Sequence, residues 1–178
     1  MRITGGSLRG RTLNVPLLPH VRPTTDRARA SLFNWLSNQV NFSNCTLIEL
    51  FAGTGAVSFE MLSRGVVQAT CVDIQRACCD AIRSIAQEWK LPVDVVCADA
   101  LAFIQRATPV ELVFADPPYR LPQMHALPQK IMESRLLSHG GLLILEHDRA
   151  HDFGTHTGFQ ESRRYGEAVF SIFEVPSS

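Results

Sequence analysis

An α/β fold, built on a mostly parallel sheet with helices on both faces, is predicted here by three features of the sequence. Strand-like and helix-like segments alternate over residues 45–145, the rhythm of β-α-β units. The first strand pattern runs into Gly53-Thr54-Gly55, a tight turn that opens a helix pattern. A later strand pattern, residues 111–115, stops at Asp116-Pro117-Pro118-Tyr119. Both stops fall at the carboxyl edge of the predicted sheet, where open α/β folds bind ligands.

In chain order, residues 2–16 carry Gly5, Gly6 and Gly10 between two short runs of β-formers, which predicts a β-hairpin with arginines at its tips. Pro16, Pro19 and Pro23 precede Thr24-Thr25-Asp26, a helix start. Ala28, Leu32, Phe33, Leu36 and Val40 then recur at amphipathic helical spacing, with Arg27 and Arg29 off the apolar stripe. Strands are predicted over residues 46–50, 69–72, 93–97, 111–115 and 142–145. Helices are predicted over 57–64, stopped by Gly65; over 76–90, with Ile82, Ile85 and Trp89 on one face; over 100–106; and over 127–137, stopped by Gly140-Gly141. Residues 153–175 break the rhythm and read as two strands around Arg163-Arg164-Tyr165-Gly166, a closing hairpin with one strand antiparallel to the sheet.

The chain has 178 residues, 46% of them hydrophobic, enough for one domain with a sizeable core and too few for two ordinary ones. It divides into a basic N-terminal hairpin and helix, residues 1–40, and a body, residues 41–178. Net charge is zero, yet residues 1–30 hold six arginines (Arg2, Arg9, Arg11, Arg22, Arg27, Arg29) against one acid, Asp26. Only Lys90 and Lys130 are lysines, so the positive charge is nearly all guanidinium, the group best shaped for bidentate phosphate contacts. A basic head on a neutral body points to an anionic partner. No apolar run approaches the about 18 residues of a membrane span, and the Arg-rich N-terminus lacks an apolar signal core, so a cytoplasmic protein is expected. Five cysteines without a C-x-x-C spacing read as reduced structural thiols. No apolar surface helix stands out, and a monomer is expected.

The chemistry lies in two elements. Around Gly53 and Gly55 the third glycine of a dinucleotide fingerprint is replaced by Ser58, and a carboxylate, Glu49, ends the entering strand. A carboxylate facing the ligand repels phosphate and suits a sulfonium and an ammonium; S-adenosylmethionine carries both cations and no phosphate. Asp73 ends the next strand, placed to accept ribose hydroxyls, and Asp99 follows the third, placed to accept an adenine amino group. The second element is stiff: neither proline donates to a ladder, and each disfavours helix at the residue before it. Asp116 thus presents a carboxylate, Pro117 a carbonyl and Tyr119 a ring. Two acceptors and a stacking face suit a planar amino group.

These residues resemble the class I S-adenosylmethionine-dependent methyltransferases, with Phe51-Ala52-Gly53-Thr54-Gly55 as the first cofactor motif and Asp116-Pro117-Pro118-Tyr119 as the amino-methyltransferase motif. More narrowly, Gly5-Gly6-Ser7-Leu8-Arg9-Gly10-Arg11, Arg22-Pro23-Thr24-Thr25-Asp26-Arg27, Phe33-Asn34-Trp35-Leu36 and Leu62-Ser63-Arg64-Gly65 look like the bacterial family that methylates guanine N2 in 16S ribosomal RNA. The resemblance implies a Rossmann-like class I methyltransferase, with a seven-stranded sheet behind a small basic RNA-contacting extension. It implies S-adenosylmethionine as cofactor, held by Glu49, Phe51, Gly53, Gly55, Asp73, Ile74, Asp99 and Ala100. Asp116, Pro117, Pro118 and Tyr119 would be catalytic, and Arg2, Arg9, Arg11, Arg22, Arg27 and Arg29 would contact RNA. The implied partner is 16S rRNA, within the small ribosomal subunit or its assembly intermediate. Asp73 stands where family members usually carry Glu.

Other readings stay open at this point. Adenine N6 in DNA or RNA is served by the same turn, and a non-catalytic RNA-binding module would keep the arginines. That module predicts a damaged cofactor loop or amine turn, whereas both are whole. Carbon-5 methylation of pyrimidines needs a cysteine nucleophile beside the turn, and ribose methylation usually leans on a lysine; neither is placed here. His147, His151 and His156 are expected as solvated loop residues, with no metal site.

Overall fold

The computed structural model describes residues 1–13 and 26–176. Its strands are β1 (Thr46–Leu50), β2 (Gln68–Asp73), β3 (Val93–Cys97), β4 (Val110–Ala115), β5 (Leu137–His147), β6 (Phe159–Tyr165) and β7 (Ala168–Glu174). They form one seven-stranded sheet in the order β3-β2-β1-β4-β5-β7-β6. The first five run parallel, and β7 lies antiparallel to both β5 and β6. The order reverses at β1/β4, so the two strands that carry the Gly-x-Gly turn and the Asp-Pro-Pro turn are hydrogen-bonded neighbours. This is the class I methyltransferase fold expected from the sequence.

The helices are α1 (Asp26–Gln39), α2 (Ala56–Ser63), α3 (Arg76–Trp89), α4 (Ala100–Phe103) and α5 (Leu127–Glu133). Strand alternation sorts the core to two faces. Ile48, Leu50, Val113, Leu143 and Leu145 pack on one face with Leu127 and Ile131 of α5. On the other, Leu47, Leu112, Phe114 and Ile144 meet Leu32, Phe33 and Leu36 of α1 and Val57 and Met61 of α2. The predicted stripe of α1 is therefore buried in the sheet's own core. Arg29 is buried with it, 4% exposed, rather than lying off the stripe, and its Nη2 donates to the Arg2 carbonyl at 3.1 Å.

Four boundaries differ from the sequence reading. Gly140-Gly141 lies inside β5 instead of ending a helix. Register jumps there, from Val110 opposite Leu137 to Leu112 opposite Leu142, and a Cβ at Gly141 would come within 2.8 Å of the Ser138 carbonyl oxygen. Helix α5 ends earlier, at Glu133, and Arg135 follows at a φ of 61°. Helix α4 is only one turn long. The closing hairpin turns at Gly166-Glu167, leaving Arg163 within β6 with its guanidinium 4.3 Å from the Trp35 ring.

The N-terminal hairpin reduces, among the described residues, to one antiparallel bridge between Arg2 and Thr12. The rest of this arm is held by α2. Thr4 bonds to Glu60, Ser7 N–H donates to the Ser63 carbonyl at 2.8 Å, and Ser63 Oγ donates to the Gly5 carbonyl at 2.6 Å. Ile3 and Leu13 are buried beneath it. No helix among the described residues is long and apolar enough to cross a membrane.

Candidate active site

The loop from β1 to α2 turns on three residues with positive φ: Phe51 at 58°, Gly53 at 52° and Gly55 at 69°. A left-handed Phe is costly, the kind of local strain that clusters at ligand sites. At Gly55 a Cβ would meet Ile82 at 3.0 Å and Phe59 at 3.2 Å, so close packing of α2 on α3 demands glycine there. At Gly53 nothing but the Phe51 carbonyl lies within 4 Å, which leaves the backbone open to a ligand.

Acids from successive strands fix this loop. Asp73, 8% exposed at the end of β2, accepts the Gly53 N–H at 2.7 Å and the Gln75 N–H at 2.8 Å. Glu49, expected from the sequence to face the ligand, is buried close to the loop. It is 4% exposed beneath the loop and accepts the Ser58 N–H at 2.8 Å, satisfying an orphan donor in the first turn of α2. Burial raises its pKa to about 7, against the lowering by the Ser58 bonds. Asp99 accepts the Ala102 N–H at 2.9 Å and caps α4, with Ala100 buried behind it.

Beside this loop, the Asp116 N–H donates to the Leu50 carbonyl at 3.4 Å, joining the Asp-Pro-Pro-Tyr turn to the end of β1. Asp116 is half-buried and Pro117 buried, while Pro118 and Tyr119 face solvent. Burial pushes the Asp116 carboxyl well above the ordinary carboxylate range, and the nearby Glu146 and Glu49 push it further. Among the described residues only Val67, Ile74 and Tyr119 are large apolar side chains left exposed. Ile74 directly follows β2, and Tyr119 closes the Asp-Pro-Pro turn, so two apolar surfaces border the acids at this edge.

The arginines divide. Arg2, Arg9, Arg11 and Arg27 are exposed, with Arg11 stacked 5.2 Å from the Trp89 ring. Arg29 is buried, and Arg22 lies outside the described residues. The histidines are also not the solvated set expected. His147 is 2% exposed; its Nε2 meets Ser171 Oγ at 2.8 Å, and burial lowers its pKa. His125, His147, His151 and His156 all pack around the buried ring of Phe153. Glu60 was not singled out by sequence reasoning, and Ser63 only as part of the Leu-Ser-Arg-Gly motif. Glu146, at the end of its strand, reads from sequence as a residue of the substrate side without a specific role.

Comparison with known sequences places these features in a family, because the description "Conserved hypothetical protein 95" matches residues 1–174. The chain belongs to this family. Conserved hypothetical protein 95 thus includes the N-terminal arm as well as the sheet. Ribosomal RNA small subunit methyltransferase D of Escherichia coli is 43% identical over 122 residues, which are 67% of this chain and 61% of that protein's length. The Bacillus subtilis protein YlbH is 33% identical over 84% of this chain and 83% of its own. The solved structure of the Escherichia coli protein yhhF superposes with a TM-score of 0.86 at 30% identity, covering 100% of this chain and 99% of that one. The resemblance drawn from the N-terminal and loop motifs agrees with these relatives.

Proposed function

We propose that this protein is an S-adenosylmethionine-dependent methyltransferase acting on the exocyclic N2 of a guanine in 16S rRNA of the small ribosomal subunit. The observation that carries the reading is the meeting of two elements on neighbouring strands, the Phe51–Gly55 loop after β1 and the Asp116–Tyr119 turn after β4. Its relationship to an rRNA small-subunit methyltransferase supports the substrate.

The residues at the edge fit the cofactor. An open backbone at Gly53, the exposed Ile74 and the acids Asp73 and Asp99 at this edge suit an uncharged adenosine joined to a sulfonium better than a pyrophosphate, which carboxylates repel. Phe51, Gly53 and Gly55 would border it, with Asp73 toward the ribose and Ile74, Asp99 and Ala100 toward the adenine. Glu49 acts from beneath, by holding the loop and α2 in shape. When bound, S-adenosylmethionine supplies an electrophilic methyl group.

A guanine amino group is a poor nucleophile because its lone pair is delocalised into the ring. The Asp116 side chain and the Pro117 carbonyl accept its two N–H bonds, draw the nitrogen toward tetrahedral geometry and stabilise the positive charge that grows there. Pro118 fixes the turn and Tyr119 stacks on the base. One N–H proton leaves as the new N–C bond forms. Asp116, whose proton affinity is raised by burial, is the group placed to take it. The base must leave its stack to enter, at a cost of a few kcal/mol, roughly, that is lower in a loop than in a duplex. Arg2, Arg9, Arg11 and Arg27, joined by Arg22, offset this by phosphate contacts, so that residues 1–40 serve as the RNA-holding extension of a catalytic domain, residues 41–178. The protein works as a cytoplasmic monomer on 16S rRNA within the subunit or its assembly intermediate.

The test is transfer of labelled methyl to small subunits that lack the modification, followed by nucleoside analysis. Label in N2-methylguanosine is expected. Label in N6-methyladenosine would move the substrate to adenine, and cofactor binding without transfer would favour a binding module.

A further inference from the structure

One carboxylate at this edge has no part in the chemistry above. Glu146 follows Leu145, the register partner of Ala115, so Glu146, still in β5 and paired with Phe170 of β7, stands one residue past the last β4–β5 pair, across from Asp116. Phe114 and Ile144, two residues earlier on each strand, lie in the same core cluster, and side chains alternate along a strand. Asp116 and Glu146 therefore project to the same face. Glu146 is 4% exposed, and its charge is among the causes that raise Asp116. A second buried acid beside the first raises the cost of ionising either one and gives this edge a further hydrogen-bond acceptor beside Asp116.

The Watson–Crick edge of guanine offers more than its amino group. Its N1–H lies next to N2 and points the same way, whereas adenine has a bare, accepting ring nitrogen beside its amino group. We propose that Glu146 accepts the N1–H of the target guanine while Asp116 and the Pro117 carbonyl hold N2, making Glu146 the residue that selects guanine over adenine. This rests on the guanine-N2 reading. It supplies what the Asp-Pro-Pro-Tyr turn lacks, since that turn accepts from either base. A carboxylate facing adenine would meet an acceptor and leave two buried acceptors unpaired, the arrangement that gives the largest discrimination in polar sites.

The test uses small subunits reconstituted with 16S rRNA that carries either guanine or 2-aminopurine at the methylated position. 2-Aminopurine keeps the amino group and replaces N1–H by a bare nitrogen. Wild-type enzyme is expected to methylate the guanine particle faster, and Glu146→Ala to lose about 10- to 100-fold on guanine with little further loss on 2-aminopurine. Glu146→Gln, which keeps an acceptor oxygen and the side-chain shape, should lose less on guanine. Cofactor affinity and melting temperature report folding of each variant, and 2-aminopurine emission reports entry of the base without relying on turnover. Equal losses on both particles, or no preference by the wild type, would overturn the role of Glu146 while leaving the methyltransferase reading intact. Failure of the wild type to methylate any guanine would overturn both.

Discussion

Thr4 donates both its backbone N–H and its hydroxyl to the carboxylate of Glu60, each at 2.7 Å, across 56 residues of sequence. Glu60 is fully buried, and the Arg64 Nε completes its shell at 2.8 Å. The Arg64 Nη2 also donates to Thr4 Oγ1 at 3.2 Å. The Gly-Gly-Ser-Leu-Arg-Gly-Arg and Leu-Ser-Arg-Gly segments are thus two halves of one joint that seats the basic arm on α2.

Glu60→Ala leaves the Thr4 N–H and the Arg64 guanidinium without their acceptor inside the joint. A loss of about 3 kcal/mol is expected, because the cost is that of buried groups left unpaired. Urea denaturation measures it, and Glu60→Gln should fall between the two. An alanine variant as stable as wild type would show that the joint carries no net stability.

Gly6 sits at a φ of 75°, with the Ser63 carbonyl oxygen 1.8 Å from where a Cβ would be. Gly6→Ala must therefore lift the Gly5–Leu8 segment off α2, whereas the part of the arm that shares a core cluster with Ala52 of the cofactor loop is Ile3 and Leu13. RNA binding is expected to weaken several-fold with cofactor affinity unchanged, as read by titration of each. Parallel loss of both would mean that the arm supports the loop as well.

Glu49 retains its proton to about pH 7 in the folded chain against an ordinary value of 4.5. Between these values the folded state binds a proton that the unfolded state has lost, so this group's contribution makes stability fall as pH rises. Glu49→Gln, which imitates the protonated form, removes that slope. The variant should gain up to about 3 kcal/mol relative to wild type above pH 7. Denaturation curves at pH 5 and pH 8 check this; an unchanged difference between the two would mean that Glu49 is ionised in both states.

The order of elements was legible because buried parallel strands read as short apolar runs and Gly-x-Gly and Pro-Pro interrupt them. The seating of α1 was legible from its apolar stripe. Burial of Arg29 was not, since an arginine beside a stripe looks solvated until a backbone carbonyl, here Arg2, is known to meet it. Gly140-Gly141 misled because glycine ends helices and also permits strand bulges, and only the Ser138 and Glu111 carbonyls nearby decide between them. The acids were found as a set, but the bonds they make within the fold were not: Glu49 accepts from Ser58 beneath the loop, and Asp99 from Ala102 at the start of α4. Glu146 went without a role because its meaning depends on register with Asp116.

Arg9 and Arg11 are exposed on the seated arm. If each meets a phosphate, replacing either by Ala lowers the slope of log affinity against log salt by about 1 and weakens binding alike for all RNA sequences. Filter binding over a salt series checks this. Arg29→Ala should instead act on stability, because that side chain is buried. A salt slope unchanged by Arg9→Ala and Arg11→Ala would remove the arm from the RNA contact.

Asp116 is required both to hold the amino group and to take its proton, and two substitutions separate the roles. Asp116→Ala removes both and should slow transfer by about 100-fold or more with cofactor affinity nearly unchanged. Asp116→Asn keeps an acceptor oxygen but cannot take a proton in this range. In the wild type the raised carboxyl ionises only well above ordinary carboxylate pH, so the single-turnover rate should climb with pH through that shifted value. The Asn variant should be slow and flat across the same interval if proton acceptance is limiting. If it is nearly as fast as wild type, positioning is the whole contribution of Asp116, and solvent takes the proton after the methyl has moved.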